Sequence, residues 1–289
     1  MIKSPLRYPG GKSRAVQLIS TLIPKFDEFR EPFVGGGSVF INQKQLNPNS
    51  KFWINDLYEP LYYFWKESKN NNDLVIENVR KFQSQYPVGK ELFLYLKSNY
   101  KEFNDIEKAA TFFIFNRITF SGTSDSGGYS EMSFKGRFTE SSIERVKEIE
   151  PILKETRITN IDYKDIVETE GENVFIFLDP PYYNATKSAL YGKNGDLHKG
   201  FDHIRFCEVM KNCNHNWLIT LDDSEYIRDL WSFSNIFEWN LTYGMRNVVS
   251  GSDQVGKELF ISNYLTELPE IRTIDNKKSK LNLQTELIL

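Results

Sequence analysis

A run of five apolar residues followed by Asp-Pro-Pro-Tyr constrains the fold of this 289-residue chain more than any other feature. Val174–Leu178 predicts a strand that is buried on both faces, as in a parallel sheet covered by helices. Asp179, Pro180, Pro181 and Tyr182 follow it directly. Catalytic groups of open α/β sheets lie just beyond the carboxyl ends of the strands, so this position favours a catalytic role. The alternative is a strand that ends in a Pro-Pro turn with a solvated aspartate.

The residue types of this tetrapeptide suit transfer of a group to a flat ring that bears an amino group. The carboxylate of Asp179 and the carbonyl of Pro180 are two fixed acceptors for amino hydrogens. The ring of Tyr182 offers a face on which a base can stack. The sequence therefore predicts Asp179, Pro180, Pro181 and Tyr182 as catalytic residues.

A glycine-rich motif near the amino end indicates a nucleoside site. Glu31 to Phe40 predicts a strand, a turn and a helix, and glycines in such a turn allow positive φ and close approach of a ligand. A second strand ends just before Asp56, which follows Gly35 by 21 residues. Acids that bind a ribose lie about 20 residues beyond such a turn. The alternative is a tight turn without a ligand. The residues predicted at this site are Phe33, Gly35, Gly37 and Asp56.

The segment from Arg7 to Ser13 contains Gly-Gly-Lys-Ser and invites comparison with phosphate-binding loops. That motif requires a glycine five positions before the glycine of Gly-Lys-Ser. Position 6 is Leu6, so the motif is incomplete. The sequence therefore argues against hydrolysis of ATP or GTP.

Together the three motifs resemble those of the DNA adenine methylase (Dam-like) family of S-adenosylmethionine-dependent methyltransferases. In that family, aromatic-X-Gly-Gly-Lys comes first, then Phe-X-Gly-X-Gly, and Asp-Pro-Pro-Tyr follows a long insertion. Here the order is Tyr8 to Lys12, Phe33 to Gly37 and Asp179 to Tyr182, as in the alpha group of amino-methyltransferases. The resemblance runs from Leu6 to about Tyr264.

The resemblance implies an α/β fold, a Rossmann-like methyltransferase sheet with an inserted, mostly helical target-recognition lobe. It also implies methyl transfer from S-adenosyl-L-methionine to N6 of an adenine flipped out of double-stranded DNA. In the family, the positions of Tyr8 and Lys12 lie against the methionine end of the cofactor, and Asp179 is expected to border both ligands. Asp162 is a further candidate, for the cofactor's adenine, and the alternative for it is a helix cap.

Other activities stay open at this stage. Methylation of the amino group of cytosine at N4 suits the same two acceptors. RNA and protein-glutamine methylases usually carry Asn in place of the motif's Asp, so Asp179 and the early motif argue against them. A non-catalytic DNA-binding protein on a relict methyltransferase fold is the alternative outside enzymes. The complete tetrapeptide, the glycine turn and Asp56 argue against it.

The spacing of the predicted elements divides the chain into a split catalytic domain, 1–59 and 151–268, an inserted lobe, 60–150, and an extension, 269–289. The region between the second and third strands is too long for a simple crossover. A closing hairpin is expected near Met245–Asn263, and Tyr183–Gly200 is expected to close over the flipped base. Predicted strands lie at Glu28–Phe33, Lys51–Asn55, Arg157–Asn160, Val174–Leu178 and Trp217–Leu221, and predicted helices at Ser13–Ile23, Asp73–Gln85, Lys90–Phe103 and Asp105–Phe120.

The polar, Gly-rich segment Ser121–Phe138 lies where the family has a hairpin that reads the major groove. Hydrogen-bonding ends and methyl groups on a protruding element suit base reading, and the alternative is a surface hairpin without that role. The segment lacks the Arg and Asn of the best-known family pattern, so the sequence does not predict a GATC target. The predicted DNA contacts are Arg7, Thr123, Ser124, Asp125, Ser126, Lys135 and Arg137.

Charge and composition limit the classes of protein to which the chain could belong. The net charge is −3, which argues against a protein that coats DNA generally, although residues 1–30 hold six Lys or Arg against two acids. Two cysteines and three histidines form no metal-ligand spacing, so no metal is expected. The first residues lack an apolar signal core and no apolar run approaches the roughly 18 residues of a membrane span, so we expect a soluble, cytoplasmic protein. We also expect a monomer. The resemblance implies a modification enzyme with a cognate restriction endonuclease, or a solitary or phage methylase.

Overall fold

The computed structural model describes residues 1–8, 10–120, 127–183, 200–242 and 255–265. Within these residues, seven strands form one sheet in the order β3-β2-β1-β4-β5-β7-β6. The first five strands are parallel, and β7 lies antiparallel between β5 and β6. The strands are β1 (Glu28–Glu31), β2 (Lys51–Asn55), β3 (Thr156–Thr159), β4 (Val174–Leu178), β5 (Asn216–Asp222), β6 (Asn235–Thr242) and β7 (Val255–Ser262).

Helices fill the connections, and those from α3 to α9 all lie between β2 and β3. Short 3-10 turns occur at Lys12–Arg14 and Tyr100–Glu102. The α-helices of the described residues are α1 (Val16–Leu22), α2 (Ser38–Leu46), α3 (Glu59–Asn70), α4 (Asn72–Gln85), α5 (Gly89–Asn99), α6 (Asp105–Ile118), α7 (Glu131–Arg137), α8 (Glu140–Glu148), α9 (Glu150–Leu153), α10 (Tyr163–Glu168), α11 (His203–Lys211) and α12 (Glu225–Leu230).

The central strand β4 is buried at all five positions, as its apolar sequence predicts. It pairs with β1 on one side and with β5 on the other. Because these strands are parallel, their carboxyl ends meet at one edge of the sheet. Four polar residues therefore lie at or just beyond the same edge, namely Glu31, Asn55, Asp179 and Asp222.

Two apolar clusters cover the two faces of the sheet. On one face, Phe29 and Phe175 pack with Phe64 and Phe112 from the helices between β2 and β3. On the other, strand residues such as Ile176 pack against α10, α11 and α12. The first cluster continues from the sheet into the inserted helices without interruption. The domain boundaries at 60 and 150 stay a prediction.

Side-chain caps fix several helix starts. Asp202 accepts hydrogen bonds from the backbone N–H groups of Ile204 and Arg205, at 3.0 and 2.9 Å, and so begins α11. Asn104 and Glu107 form a reciprocal capping box at the start of α6. These caps satisfy N–H groups that have no partner within the helix.

The structure corrects several of the predicted bounds. β1 ends at Glu31 and not at position 33, because Pro32 has no N–H to donate and a turn begins there. Ser13 does not cap a helix over Ser13–Ile23, because Lys12–Arg14 form a 3-10 turn and α1 begins at Val16. β5 is one residue longer at each end than Trp217–Leu221.

The hairpin expected over Ser121–Phe138 is wrong for its second half. An antiparallel bridge between Thr119 and Tyr129 does bring the ends of the loop together. Residues Glu131–Arg137 then form α7, because Ser130 caps it through Ser133 N–H and Glu131 pairs with Lys135 one turn later. These local interactions favour a helix over a strand.

Several predicted segments lie outside the described residues. They are Thr123 to Ser126, most of Tyr183–Gly200, Met245–Asn247 and the extension 269–289. The hairpin of β6 and β7 agrees with the closing hairpin expected near the end of the chain. Among the described residues, no helix has the length and apolar character to cross a membrane.

Candidate active site

Asp179 lies directly beyond β4 and is held by two side chains. Lys12 Nζ donates to both carboxylate oxygens, at 2.7 and 2.9 Å, and Thr220 Oγ1 donates to Oδ1 at 2.6 Å. An ionised carboxylate offers about four lone-pair positions, so about one remains for a ligand. Next to it, the carbonyl of Pro180 accepts no hydrogen bond from the described part of the chain.

Tyr182 is fixed at both its ring and its hydroxyl. The phenol donates to Glu258 Oε2 on β7 at 2.9 Å, and Lys12 Nζ lies 4.9 Å from the ring centroid. Burial, followed by the charges of Asp179 and Glu258, raises the pKa of Tyr182 well above its ordinary value. The side chain is therefore a neutral, oriented ring beside the acceptor pair.

The glycine turn and the first motif pack against each other. Gly35 has φ +47°, and a Cβ placed there would lie 2.9 Å from Cε1 of Tyr8. The carbonyl of Gly35 accepts a hydrogen bond from Trp65 Nε1 at 3.1 Å. Gly37 also has positive φ, +67°, and its missing side chain leaves room for the Trp65 ring. The structure thus brings together two of the three sequence motifs at this turn.

Asp56 is tied to the same turn through the backbone. Gly35 N–H donates to its Oδ2 and Tyr58 N–H to its Oδ1, each at 3.0 Å. Burial raises the pKa of Asp56 to about 6, and these two hydrogen bonds oppose that rise. Each oxygen keeps a further lone pair for a ligand hydroxyl.

A cavity of about 190 Å³ lies beside this edge of the sheet, between the loops after β1, β2 and β3. Phe33 and Asp162, both predicted to contact the cofactor, line its walls, together with Leu57 and Arg205. Asp162 does cap α10, through Lys164 N–H at 2.9 Å, and it also pairs with both Arg205 Nη atoms at 2.9 and 3.0 Å. The helix cap is therefore confirmed, and contact of Asp162 with the cofactor stays a prediction.

Sequence reasoning missed Glu31, at the carboxyl end of β1. Its side chain is buried, and its Oε2 has no hydrogen-bond partner among the described residues. Burial raises the pKa of Glu31 well above its ordinary value, and the nearby charge of Asp179 adds to this. An acid at the end of a strand, just before the glycine turn, was the signal that could have identified it.

Thr220 and Glu258 were also missed. Thr220 is buried on β5 and contacts Asp179, and Glu258 is buried on β7 and contacts Tyr182. The available signal was a polar residue in each of two otherwise apolar strand sequences. Their contacts with the tetrapeptide depend on strand pairing, which the sequence alone does not define.

The predicted DNA contacts lie on and near the inserted helices. Arg7 is exposed, and its backbone N–H and carbonyl are both hydrogen-bonded to the side chain of Asn116. Arg137 is half-buried at the end of α7, and Lys135 pairs with Glu131 at 3.0 Å. Thr123, Ser124, Asp125 and Ser126 lie outside the described residues.

Sequence reasoning also missed Arg117, on α6. It is buried, its Nε has no partner among the described residues, and its guanidinium lies 5.2 Å from the ring centroid of Phe113. Burial, together with the charges of Arg145, Arg7 and Arg137, lowers the pKa of Arg117 to about 10. Four arginines thus concentrate positive charge in one region, which we call the arginine cluster.

A mostly parallel sheet with β7 inserted antiparallel, and a polar site at its carboxyl edge, defines a Rossmann-like methyltransferase. The comparison with protein families identifies the particular class. The model of the D12 class N6 adenine-specific DNA methyltransferases matches residues 8–245, and the chain belongs to this class. It is thus an adenine-specific enzyme that acts on DNA with a methyl donor. This excludes the cytosine and relict alternatives.

Individual relatives agree with the family. The type II methyltransferase M1.LlaDCHI of Lactococcus lactis subsp. cremoris is 25% identical over 278 residues, covering 89% of this chain and 94% of that protein. The type II methyltransferase M.MjaIII of Methanocaldococcus jannaschii is 25% identical over 209 residues, covering 66% and 72%. The DNA N-6-adenine-methyltransferase of Escherichia phage P1 is 28% identical over 188 residues, covering 62% and 24%.

Proposed function

We propose that the chain transfers the methyl group of S-adenosyl-L-methionine to N6 of an adenine flipped out of double-stranded DNA. The observation that carries this proposal is the acceptor pair at the end of β4. Asp179 keeps about one free lone-pair position, and the adjacent carbonyl of Pro180 has no partner within the described residues. An amino group has two hydrogens, and the pair offers one acceptor for each.

The two acceptors explain how a poor nucleophile reacts. The lone pair of an adenine amino group is delocalised into the ring. Acceptors fixed for both hydrogens favour the tetrahedral form, in which the lone pair is localised on nitrogen. Lys12 and Thr220 hold Asp179 in place, so this is stabilisation of the transition state by pre-positioned groups. A base within the duplex cannot reach them, so the adenine must leave the stack, and Tyr182 offers the ring on which it stacks.

The residues at the strand ends fit S-adenosyl-L-methionine. When bound, this cofactor supplies an electrophilic methyl group on a sulfonium centre. Glu31 is a buried carboxylate without a cationic partner among the described residues, and the ammonium of the methionine portion would balance it. Asp56 has acceptor positions for ribose hydroxyls. Tyr8 and the glycine turn form the wall between them.

The cavity beside this wall suits the adenine of the cofactor. Phe33 lines it, and the side chain of Leu57 is 54% exposed although it is apolar. An exposed leucine that directly follows the ribose-binding candidate favours contact with a flat apolar ring. Asp162 and its partner Arg205 are among the polar residues that line the cavity.

The arginine cluster supports contact with the DNA backbone. Among the described residues, none of Arg7, Arg117, Arg137 and Arg145 forms an ion pair with an acid. A buried cation without a counter-charge is costly, and a phosphate oxygen would offset that cost. Arginine is the residue best suited to bind phosphate. We assign these four arginines to backbone contacts and leave Lys135, which is paired with Glu131, as a weaker candidate.

Target selection by residues 121–126 stays a prediction from the sequence. If Thr123 to Ser126 contact bases, substitutions there change which sites are methylated, while cofactor affinity stays the same. An unchanged sequence profile for these variants would place recognition elsewhere in the inserted lobe. The sequence does not predict GATC, or any other particular site, as the target.

The relatives named as type II methyltransferases favour a modification enzyme with a cognate restriction endonuclease. A solitary or phage role is the second candidate, supported by the phage P1 relative. We propose a cytoplasmic monomer in either case. Sequencing of modified bases in the host DNA, together with the gene's neighbours, would distinguish these roles.

The central test is methyl transfer with tritiated S-adenosyl-L-methionine to unmethylated plasmid DNA of mixed sequence. Digestion should place the label in N6-methyladenine, and Asp179→Ala should abolish incorporation while the protein stays folded. Asp179→Asn should retain a trace at most, because an amide presents hydrogens to Lys12. Label in another nucleoside, or activity of Asp179→Ala within tenfold of wild type, would contradict the proposal.

A further inference from the structure

A chain of side chains links Asp179 to a second carboxylate. Thr220 Oγ1 donates to Asp179 Oδ1 at 2.6 Å, and the same hydroxyl is near enough to the Tyr182 phenol to lower its pKa. The phenol in turn donates to Glu258 Oε2 at 2.9 Å. Two hydroxyl groups therefore lie between two carboxylates, one at the reacting amino group and one on β7.

Glu258 is placed to exchange a proton. It is 1% exposed, and its Oε1 has no partner among the described residues. The pairing of β7 sets it opposite Asp222 on β5 and Trp239 on β6, and the charged groups that face it are Lys12, Asp179 and Asp222. Burial raises the pKa of Glu258 to about 7, with Lys12 opposing and the two aspartates adding to the rise.

Methyl transfer leaves a proton that must be removed. The bond between sulfur and the methyl carbon breaks with its electron pair on sulfur, and the nitrogen lone pair forms the new N–C bond. The nitrogen is then positively charged and becomes neutral when one N–H bond breaks and its electrons return to nitrogen. Asp179 accepts a hydrogen bond from that N–H group, so it is the first acceptor of the proton.

We propose that Glu258 is the terminal acceptor of this proton, an inference that rests on the function proposed above. Once Asp179 is protonated, it no longer needs the proton of Thr220, and the Thr220 hydroxyl turns to the oxygen of Tyr182. Asp179 then gives its proton to the Thr220 oxygen as the Thr220 proton passes to the oxygen of Tyr182. The phenolic proton then passes to Glu258. Both hydroxyls end unchanged, Asp179 is again a carboxylate, and Glu258 is a carboxylic acid that later releases the proton to solvent.

Glu258→Gln separates this role from a purely positional one. The amide oxygen still accepts the hydrogen bond of Tyr182 and keeps its ring in place, but an amide takes up no proton. In the wild type, single-turnover transfer to unmethylated mixed-sequence plasmid DNA should rise with pH through about 7, as Glu258 ionises. In Glu258→Gln the rate should fall at least tenfold and lose that rise.

Two further variants interrupt the same path. Thr220→Val and Tyr182→Phe each remove one hydroxyl, and the second keeps the stacking ring. Each should flatten the same pH profile, and adding Glu258→Gln to either should cost little more, because groups that act as a unit are not additive. Glu238→Gln is the matched control, an exposed glutamate on β6 of the same hairpin, and should behave as wild type.

Wild-type rates and pH dependence in Glu258→Gln would overturn the proposal. A slow Glu258→Gln variant with the wild-type pH profile would also overturn it, in favour of a positional role. The thermal midpoint shows whether Glu258→Gln folds. If it does not fold, the pH profiles of Thr220→Val and Tyr182→Phe decide whether the proposal stands. Absence of methylation by the wild type is a different result and contradicts the proposed function itself.

Discussion

Lys12 Nζ lies 2.7 Å from Oδ1 of Asp179, although 167 residues separate the two in sequence. Lys12 is 4% exposed, so the first motif contributes a buried cation to the tetrapeptide that follows β4. The same ammonium donates to the carbonyl of Gly10 at 3.0 Å. The ion pair therefore ties the amino-terminal segment to the centre of the sheet.

Lys12→Met should destabilise the protein through this pair. It leaves Asp179 as a half-buried carboxylate without its counter-charge. Loss of one partner of a buried pair costs about 3–5 kcal/mol, and partial contact of Asp179 with water reduces that to about 2 kcal/mol. Urea unfolding of Lys12→Met and of Lys12→Met/Asp179→Asn would test this. The double variant should recover most of the loss, and equal stabilities of wild type and Lys12→Met would contradict the prediction.

Asp56→Ala should weaken binding of S-adenosyl-L-methionine by about 1–3 kcal/mol, because ribose hydroxyls lose their acceptor. Titration calorimetry measures this, and unchanged affinity would assign the ribose to another residue. Gly35→Ala should be more severe, because its Cβ would meet Tyr8 at 2.9 Å and its φ is +47°. Gly136→Ala is the matched control, since no atom lies within 4 Å of its Cβ position.

Glu258 should make stability fall as pH rises. Its pKa is about 7 in the folded chain and 4.5 ordinarily, so between those values the folded state holds a proton that the unfolded state has lost. The unfolding free energy therefore decreases across this window and is level above it. Glu258→Gln should match wild type near pH 4.5 and exceed it by up to about 3 kcal/mol at pH 8. Denaturant unfolding at both values is the measurement, and parallel pH curves would refute the assignment.

The arginine cluster should control the salt dependence of DNA binding. When an arginine that neutralises one phosphate is replaced, the slope of log affinity against log salt should become shallower by about 0.9. Arg7→Gln, Arg137→Gln and Arg145→Gln each remove one such cation, and fluorescence anisotropy with a mixed-sequence duplex gives the slopes. Arg80→Gln is the matched control, because Arg80 is paired with Glu140 and Glu144.

Arg117→Met separates a ligand-binding arginine from a structural one. It removes a buried charge that has no acidic partner within the described residues, so the thermal midpoint without DNA should stay level or rise. Its DNA affinity should nevertheless fall at all sequences, with a shallower salt slope. A lower midpoint together with a wild-type slope would assign Arg117 to packing alone.

The sequence predicted those parts of the fold that depend on local pattern. β2 and β4 have the predicted bounds, because an apolar run ended by polar or proline residues defines a strand locally. The position of Asp179 and the link between Gly35 and Asp56 also follow, since strand ends and motif spacing determine them.

The partners of those residues were not predictable in the same way. Thr220 and Glu258 reach the tetrapeptide only because β5 and β7 lie next to each other, with β7 reversed. Arg117 lies in α6, and the end of this helix is so apolar that no regular spacing of charged residues pointed to Arg117. α7 was predicted as part of a hairpin because the family resemblance outweighed its Ser cap and its Glu131–Lys135 spacing.

The late position of the antiparallel strand β7 in the sequence affects when the site can form during synthesis on the ribosome. Lys12 is made among the first residues and Glu258 only after β5 and β6, yet both flank Tyr182. A nascent chain stopped before Val255 has the early motifs but not the strand that anchors the tyrosine. We therefore expect methyl transfer only after β7 has been made, and we expect a chain that ends before Val255 to leave DNA unmodified.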